Sequence, residues 1–552
     1  MSKVRVGLLV DSHKVPLWAF KMIDLIISGG HSQLVLVIQN NADIQTRNIL
    51  SKSIQSFNHA LFGLHSRIDR KIFKAHPDAF ELTDIRPLIG DATILPVLPI
   101  STNFSDRLKD EDLEIIASHD LDVIIRLGFK ILRGGILKAA KFGIWSFHHG
   151  DNKVNRGGPA GVWEVLEGWG DTGAVLQILT EDLDGGIILD RTFGKTDEKS
   201  INRNNNTSYW KALSMIPRNL KKLHALGGEK FMAQVTSQNA DPYFYYNKLH
   251  LTPTNAEIFQ LNAKKILSKI GSTLTNIIYK RQWILMYSLS KTEKVSQSFY
   301  RFKKIFPPRD RFWADPFVIF KDDLYYIFFE ELLYKTNKGH ISFLTIDTAG
   351  KVTEPVKVLE KDFHLSYPFV FEHKGEYYMI PETEGNRTIE LYKSMDFPFK
   401  WELQNTLMEN VFAVDTTVHF YDGKFWMFCN MRENVGASHL DELFIFYSDD
   451  LQSNNWKPHA MNPVVSDVNR ARPAGKIFEH NRQMYRPAQN SSKHYGRGMH
   501  IGRIVTLNES EYVEETVQYI YPNWDKRLNS THTLNFDKRL TIIDGLYKRR
   551  KF

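Results

Sequence analysis

The sequence predicts an N-terminal α/β domain over residues 1–235, a helical connector over 236–295 and an all-β, five-bladed propeller over 296–552. Three patterns indicate this division. Short apolar runs alternate with helical periods in the first part, and an amphipathic pattern begins near residue 253. After residue 300 a unit of about 50 residues recurs, the length typical of propeller blades. The chain has 552 residues, enough for several domains with separate cores.

The composition is that of a folded globular protein. Hydrophobic residues make up 42% and charged residues 24%, which excludes a largely disordered chain. The net charge of +8 is too dilute to indicate a nucleic acid partner. The single cysteine, Cys429, cannot form an intrachain disulfide or a multi-thiolate zinc site, so we expect a cytoplasmic location. No run is apolar enough for an integral membrane segment.

The first 235 residues predict a parallel sheet covered by helices. Residues 4–10, 33–38 and 122–127 have the apolar composition of buried strands, and residues 18–27 have a helical period. Alternating strands and helices favour a parallel sheet with helices on both faces. Ligands of such sheets bind at the carboxyl ends of the strands, so we expect the functional residues there.

A polar loop follows the predicted strand 143–147. It begins with two histidines, His148 and His149, and continues through an acidic and amide pair to an arginine and several glycines. The loop has three interpretations. It forms a catalytic site, it binds a divalent metal through nitrogen and oxygen ligands of His148, His149, Asp151 and Asp184, or it only caps a tight turn. Asp184 lies in a turn between two strands and can reach an imidazole.

Several motifs in this region resemble the folate-dependent formyltransferases. They are Gly-Ile-Trp-Ser-Phe-His-His at 143–149, Arg-Gly-Gly-Pro at 156–159, Thr-Gly-Ala-Val at 172–175 and Leu-Asp-Gly-Gly-Ile-Ile at 183–188. The resemblance covers about residues 4–220. The loop Gly-Asp-Asn-Lys at 150–153 departs from the family's Ser-Leu-Leu-Pro. The resemblance implies a Rossmann-like formyltransferase domain that uses 10-formyltetrahydrofolate.

The resemblance also implies roles for individual residues. The family's histidine corresponds to His148, its aspartate to Asp184 and its asparagine to Ser146. His148 would act as acid and base at the tetrahedral centre, and Asp184 would orient it. We expect the remaining pocket residues to bind substrate: His149, Asp151, Asn152, Arg156 and Gly128.

The connector is predicted to be one long amphipathic helix from residue 253 to 289. Thr254 and Glu257 have the spacing of a capping box, and apolar residues then recur at intervals of three and four. Several lysines accompany the apolar stripe. Such a helix either packs on a domain or lies on an anionic membrane surface as a peripheral contact.

The C-terminal half contains an internal repeat. Ala-Asp-Pro-Phe-Val at 314–318 corresponds to Tyr-Pro-Phe-Val at 367–370, 52 positions later, and the unit returns near residues 415, 472 and 531. Each copy has two aromatic or β-branched strands around a short polar turn, which predicts a hairpin. Five copies predict five blades.

The motifs Ala-Asp-Pro-Phe-Val at 314–318, Ile-Pro-Glu-Thr at 380–383 and Ala-Arg-Pro-Ala-Gly at 471–475 resemble the N-terminal propeller domain of plant glucosamine inositolphosphorylceramide transferases. That domain is similar to five-bladed glycosidase propellers. We expect Asp315, Glu382 and Asp415 to begin inner strands and to meet Arg472 at one mouth. This cluster hydrolyses a glycosidic bond, binds a sugar or is only structural.

Together the two resemblances imply transfer of a formyl group to the amine of an amino sugar, which is free, nucleotide-linked or part of a glycolipid. Two alternatives remain. The propeller processes a glycan while the first domain has lost folate, or the chain binds glycans without catalysis.

Overall fold

The computed structural model describes residues 2–42, 57–182 and 185–551. The chain forms two compact units. The first consists of Met1–Lys264 with Asn434–Ala437, and the second of Lys265–Glu433 with Ser438–Phe552.

The first unit is organised around a sheet of seven strands. These are β1 (Val4–Val10), β2 (Ser32–Asn40), β3 (Thr93–Val97), β4 (Val123–Arg126), β5 (Ile144–His148), β6 (Asp171–Ile178) and β7 (Ile187–Lys195). Their order is β7-β6-β5-β4-β1-β2-β3. The five strands from β5 to β3 in this order are parallel, as predicted for an α/β domain.

The pairing of β6 and β7 differs from the prediction, because β6 runs antiparallel to β5 and β7 runs antiparallel to β6. The connection between them is too short for the helical crossover that a parallel pair requires. They extend the sheet beyond β5. Strand β5 and the polar loop that follows it therefore lie between other strands and not at the outer side of the sheet.

Helices cover this sheet. They are α1 (Leu17–Ser28), α2 (Ala60–Ile72), α3 (Asp110–Ser118), α4 (Val162–Glu167), α5 (Ile201–Ala212), α6 (Met215–Leu226) and α7 (Gly228–Gln238). Shorter elements are a helical turn at Arg86–Ile89, a 3₁₀ turn at Gly134–Lys138 and strands at Lys14–Pro16, Leu82–Asp84, Ile100–Ser101, Ser105–Arg107 and Ile131–Leu132. One apolar core lies on each face of the sheet.

The predicted connector helix is shorter than expected. Helix α8 runs over Asn255–Ile278, and the chain then forms strand β8 (Tyr279–Leu289). The apolar run from Trp283 to Leu289 was predicted as a continuation of the helix, but it pairs with the last strand of the chain instead. A short apolar run with β-branched and aromatic residues fits either structure, and here long-range pairing decides. The segment assigned to the connector therefore contains a strand of the β region.

The second unit contains five successive antiparallel sheets, with 3₁₀ turns at Phe299–Arg301 and Glu384–Asn386. The first sheet comprises β10 (Arg311–Lys321), β11 (Leu324–Leu333), β12 (Lys338–Asp347) and β13 (Val356–Leu359). The second comprises β14 (Ser366–His373), β15 (Glu376–Glu382), β16 (Thr388–Asp396) and β17 (Lys400–Glu409). The third comprises β18 (Ala413–Tyr421), β19 (Lys424–Met431), β20 (Glu442–Ser448), β21 (Lys457–Pro458) and β22 (Val465–Ser466).

The fourth sheet comprises β23 (Phe478–His480), β24 (Gln483–Asn490), β25 (Gly498–Leu507) and β26 (Tyr512–Ile520). The fifth combines β8 and β9 (Lys303–Ile305) with β27 (Leu528–Ser530), β28 (Leu534–Asp537) and β29 (Leu540–Arg550). The fifth sheet thus joins the beginning of the β region to its end.

Five apolar clusters connect these sheets in cyclic order. Phe328 of the first sheet packs with Val370 of the second, and further clusters join the second to the third, the third to the fourth and the fourth to the fifth. The last cluster returns from Leu285 and Ile542 of the fifth sheet to Val318 of the first. Each sheet is therefore held on both faces by its neighbours.

Among the described residues, no helix combines the length and the apolarity that crossing a bilayer requires.

We predict that Ile542→Ala destabilises the second unit by about 2–5 kcal/mol, because Ile542 is fully buried where the fifth sheet meets the first. Urea denaturation followed by tryptophan fluorescence measures this loss. Val517→Ala, at an exposed position of β26, is the matched control and should change the free energy of unfolding by less than about 0.5 kcal/mol. Equal effects of the two substitutions would contradict the cyclic packing.

Candidate functional site

The same irregularity occurs at the same repeat position in three sheets. In β10, β14 and β18 the pairing slips by one residue, which makes a β-bulge. Asp315, Tyr367 and Asp415 occupy the bulges with φ angles of 51°, 43° and 53°. Residues other than glycine rarely adopt this conformation, and bulges re-aim side chains. The repeat therefore turns three polar side chains to one region.

The fourth and fifth copies of the repeat contribute Arg472 and His532 at the corresponding positions. Arg472 contacts Asp415 of the third sheet, and His532 contacts Asp315 of the first. Asp315, Asp415 and Arg472 come together as predicted, but Asp315 and Asp415 lie within β10 and β18 at the bulges and do not begin these strands. His532 was missed, although aligning the fifth copy of the repeat with the others would have identified it.

Glu382 differs from the prediction in its place along the chain. It ends the second strand of its sheet and lies opposite Ser366, the residue before the bulge. Glu330 of β11 holds the equivalent position, opposite Ala314. Since β-pairing sets the two strands side by side, a second-strand residue reaches the same region as a residue that begins an inner strand. Glu382 thus still joins the predicted group.

Arg472 links two carboxyl groups. Its guanidinium lies 2.5 Å and 3.0 Å from the two oxygens of Asp415 and 3.4 Å from Oε2 of Glu382. The amide of Gln489 donates a third hydrogen bond to Asp415. Both Arg472 and Asp415 are buried. A bidentate pair of this kind is geometrically specific and, once buried, depends on both partners.

A second ion group lies beside the first. Nε2 of His532 is 3.1 Å from Asp315, and Nδ1 is 2.8 Å from Asp544 of β29. Although burial alone lowers the pKa of His532, the carboxylates of Asp544 and Asp315 raise it to about 10. Among the described residues, Asp315, His532 and Asp544 are also close enough to share a cation. With its raised pKa, the protonated imidazole of His532 itself provides a positive charge between the two carboxylates.

The carboxyl groups differ in charge state. Burial and the neighbouring carboxylate of Asp415 raise the pKa of Glu382 well above its ordinary value. Against the opposing effect of burial, His532 lowers the pKa of Asp315. The cluster therefore combines a carboxylic acid with carboxylates, which is the arrangement that acid-base chemistry or recognition of sugar hydroxyls requires.

An aromatic side chain borders the cluster on its accessible side. The Tyr495 ring lies 5.2 Å from the guanidinium of Arg472 and 5.1 Å from the His532 ring. Its exposed fraction is 38%. Aromatic faces beside polar groups are suited to stacking against a sugar ring.

Glu330 and His364 form a further pair, of an acid with a base, that was not predicted from the sequence. Oε1 of Glu330 lies 3.1 Å from His364 Nε2. Burial raises the pKa of Glu330, and the hydrogen bond to Glu330 raises the pKa of His364. The glutamate is buried and the histidine is exposed, so the pair connects the interior of the cluster to solvent.

The polar loop of the first unit begins at the carboxyl end of β5, as predicted. Nε2 of His148 is 2.9 Å from the carbonyl oxygen of Asn155. This contact holds the imidazole against the loop that follows it. Because a carbonyl can only accept, Nε2 carries a proton, and Nδ1 remains for other chemistry.

Ser146 is buried and already bonded. Its hydroxyl accepts a hydrogen bond of 3.2 Å from Arg126, the last residue of β4. Arg126 also donates to the carbonyls of Phe129 and Lys130, and burial lowers its pKa. Ser146, which corresponds to the asparagine of the formyltransferases, is thus held by the guanidinium of Arg126. Arg126 was not among the predicted site residues.

The other pocket residues mainly organise the loop. Asp151 accepts from Arg191 at 3.1 Å and from the backbone of Lys153. Arg156 donates to the carbonyl of Asn152 and lies over the ring of Tyr245. Their predicted contacts with substrate remain predictions.

His149 and Gly128 have clear packing roles. The His149 ring stacks on Tyr209 with 3.6 Å between ring centres, and burial lowers its pKa to about 3, so it is neutral. A Cβ atom at Gly128 would lie 2.6 Å from the backbone nitrogen of Asp11. Glycine is therefore needed where β4 and β1 end side by side.

Several buried polar atoms at this edge have no hydrogen-bond partner within the described parts of the chain. They include Nε of Arg126, Nδ1 of His149 and Oδ1 of Asn152. Such atoms are rare in native proteins and indicate a bound group or water. Asp184, the predicted orienting residue, lies outside the described residues.

Comparisons with known proteins separate the two halves. Residues 303–539 match the family model described as Glucosamine inositolphosphorylceramide transferase 1, N-terminal. Glucosamine inositolphosphorylceramide transferase 1 of Arabidopsis thaliana is 32% identical over 211 residues, which cover 38% of this chain and 27% of that protein. The methionyl-tRNA formyltransferase of Prochlorococcus marinus is 32% identical over 94 residues, 17% of this chain and 27% of that enzyme.

A family 117 glycoside hydrolase of Zobellia galactanivorans is 12% identical with a TM-score of 0.32, covering 48% of this chain and 90% of that one. The sequence matches confirm both resemblances, to the formyltransferases for the N-terminal part and to the transferase domain for the C-terminal half. The chain spans about a quarter of the length of these curated relatives.

We predict opposite outcomes for two neighbouring isosteric substitutions. Glu382→Gln should change the free energy of unfolding by less than about 1 kcal/mol, because the raised pKa of this carboxyl favours a neutral side chain that glutamine resembles. Asp415→Asn should cost about 3–5 kcal/mol, because it leaves the buried Arg472 without its charged partner. Chemical denaturation at pH 7 measures both. A larger cost for Glu382→Gln would show that Glu382 is ionised.

We also predict that His532 stabilises the fold in a pH-dependent way. Its pKa is raised from 6.5 to about 10 in the folded protein. Its contribution is therefore fully present below pH 6.5 and is lost as the pH rises through 10, on the order of a few kcal/mol. The stability difference between wild type and His532→Gln should shrink across this range.

The matched control for that prediction is His500→Gln. His500 is also a buried histidine of the second unit, but burial lowers its pKa to about 4. The stability difference for His500→Gln should therefore stay constant above pH 6.5. A constant difference for His532→Gln as well would refute the assignment of a charged imidazole.

Proposed function

We propose that the chain is an enzyme of glycoconjugate metabolism that transfers a formyl group to the amine of an amino sugar. The observation that carries the proposal is the group of unpartnered buried atoms at the carboxyl edge of β4 and β5, next to His148. Carboxyl edges are where ligands of open α/β sheets bind. The similarity to a methionyl-tRNA formyltransferase supports formyl transfer as the reaction.

The unpartnered atoms include both donors and acceptors, which fits a donor molecule such as 10-formyltetrahydrofolate. Arg126 and Asn152 would hold it through Nε and Oδ1. When bound, it supplies the formyl carbon. Nδ1 of His148 would take the proton that the acceptor amine loses and pass it to the donor nitrogen that leaves the formyl carbon, or as an imidazolium would donate to the developing oxyanion. Asp184 would orient the imidazole.

The second unit would hold the saccharide. We infer that its five sheets are the blades of a propeller, since their apolar clusters follow one another in a closed cycle. Inner strands of a propeller meet at its axis, where the Arg472 cluster would bind sugar hydroxyls. The matching relatives are named for glucosamine inositolphosphorylceramide, an amino-sugar glycolipid, which favours an amino sugar as acceptor.

Substitution of His148 tests the reaction. Mass spectrometry of the sugar product, with 10-formyltetrahydrofolate as donor, should show that His148→Ala lowers the turnover about 10²–10⁴-fold. Calorimetric titration with a stable 10-formyltetrahydrofolate analogue should still show binding to His148→Ala, and weaker binding to Asn152→Leu.

The control is His119→Ala, since His119 precedes β4 and lies at the amino edge of the same sheet. It should leave both turnover and binding unchanged. Transfer that persists in His148→Ala, or a wild-type protein that does not bind the analogue, would rule out this proposal.

A second candidate function is cleavage of a glycosidic bond in the second unit. The specific observation is that Glu382, whose pKa is raised by burial and by Asp415, lies in one cluster with Asp415 and Asp315. The acid would protonate the leaving oxygen while a carboxylate activates water. Hydrolysis of saccharides that is lost in Glu382→Gln but retained in His148→Ala would favour this alternative.

A further inference from the structure

Helix α8 has an apolar face that is open to solvent. Phe259, Leu267 and Ile277 are 71%, 70% and 58% exposed, and Ile266 and Ile270 are also more than half exposed. At 3.6 residues per turn these residues occupy one side of the helix. One side chain near the N-terminus, Ile258, is buried. The apolar side of the rest of α8 is therefore not packed against a domain, as would be expected for a connector helix.

The charged residues of this helix are mostly basic. Lys264 and Lys269 flank the apolar face, and both are exposed. Glu257 is the one acidic residue in the sequence of α8 and lies in its first turn. Exposed Lys280 and Arg281 follow at the start of β8. An apolar face with basic margins is complementary to a surface that is apolar inside and negatively charged outside.

Helix α2 has the same pattern and lies against the start of α8. Leu61, Leu64, Ile68 and Ile72 recur at intervals of three and four and are between 41% and 65% exposed. The sequence of α2 also contributes Arg67, Arg70 and Lys71. The side chain of Asn255 accepts a hydrogen bond of 2.9 Å from the backbone of Leu61 and donates one of 2.8 Å to the carbonyl of Phe57. The two helices thus begin at a common point.

We propose that α8, supported by α2, binds the surface of an anionic membrane and holds the protein at the interface. Interfacial helices of this kind lie in the membrane plane, with apolar side chains in the acyl boundary and lysines at the headgroups. The apolar residues supply the depth of insertion, and the lysines select anionic lipid. The inference does not depend on the proposed reaction.

A second copy of the chain is the competing occupant of this face. Charge argues against it, because an isologous contact would bring the lysines of one α8 close to those of the other. An anionic lipid surface instead neutralises them. The two occupants predict different measurements.

The test is co-sedimentation of the full chain with phosphatidylcholine vesicles and with vesicles of phosphatidylcholine and phosphatidylserine. We expect at least tenfold stronger binding to the anionic vesicles, weakened by salt because the Debye length shortens. The triple variant Ile266→Gln/Leu267→Gln/Ile270→Gln should lose this binding at least tenfold. Ser268→Gln/Ser272→Gln, at exposed positions outside the apolar face, is the matched control and should bind like wild type.

A tryptophan at position 267 gives a second readout. The emission maximum of the tryptophan introduced by Leu267→Trp should shift to shorter wavelength with anionic vesicles and stay unchanged with neutral vesicles. Circular dichroism identical to wild type would show that the variants fold.

Three outcomes would overturn the proposal. They are equal binding to both vesicle types, undiminished binding of the triple variant, and a wild-type dimer in sedimentation velocity that the triple variant abolishes while neither protein binds vesicles.

Discussion

The antiparallel pairing of β8 with β29 is the constraint on which the second unit depends. All eleven residues of β8, from Tyr279 to Leu289, pair with β29 at the other end of the β region. The same pairing places the apolar residues of the fifth sheet against the first sheet and the fourth. Without it, two of the five apolar clusters would lose a side, so the cyclic packing depends on contacts that are distant in sequence.

The closure also positions charge. β29 carries Asp544, whose carboxylate lies against His532, and His532 in turn lies against Asp315 of the first sheet. Next to this group, Arg472 balances Asp415. Buried charges persist only where partners compensate for lost hydration. Burial and the carboxylate of Asp415 raise the pKa of Glu382, which favours the protonated form of this carboxyl within the cluster.

Much of this architecture could be predicted from local patterns, and the exceptions have identifiable causes. Apolar runs and helical periods predicted the strands of the first unit other than β3, and the repeat singled out Asp315 and Asp415, which the structure places at bulges. The strand β8 was mistaken for helix because its partner is remote in sequence. The repeat also contained the information that identifies His532, but only an alignment of all five copies reveals it.

The site in the first unit was harder to predict in detail. The position of His148 at a strand end followed from the hydrophobic pattern. The support of Ser146 by Arg126 could not be predicted, since it depends on which residues face each other across two parallel strands. Likewise the stacking of His149 on Tyr209 joins elements that are far apart along the chain. Sequence spacing indicates which residues share an edge, whereas three-dimensional packing decides which of them remain available to a ligand.

The construction of the fifth sheet has a consequence for how this part of the chain can be isolated. The region of family similarity, residues 303–539, contains neither β8 nor β29. A polypeptide trimmed to that region would expose the backbone edge of β28 and the apolar side chains that β8 and β29 normally cover, and such edges promote aggregation. A self-sufficient recombinant fragment therefore has to begin before residue 279 and extend through residue 550, well outside the boundaries that similarity alone would suggest.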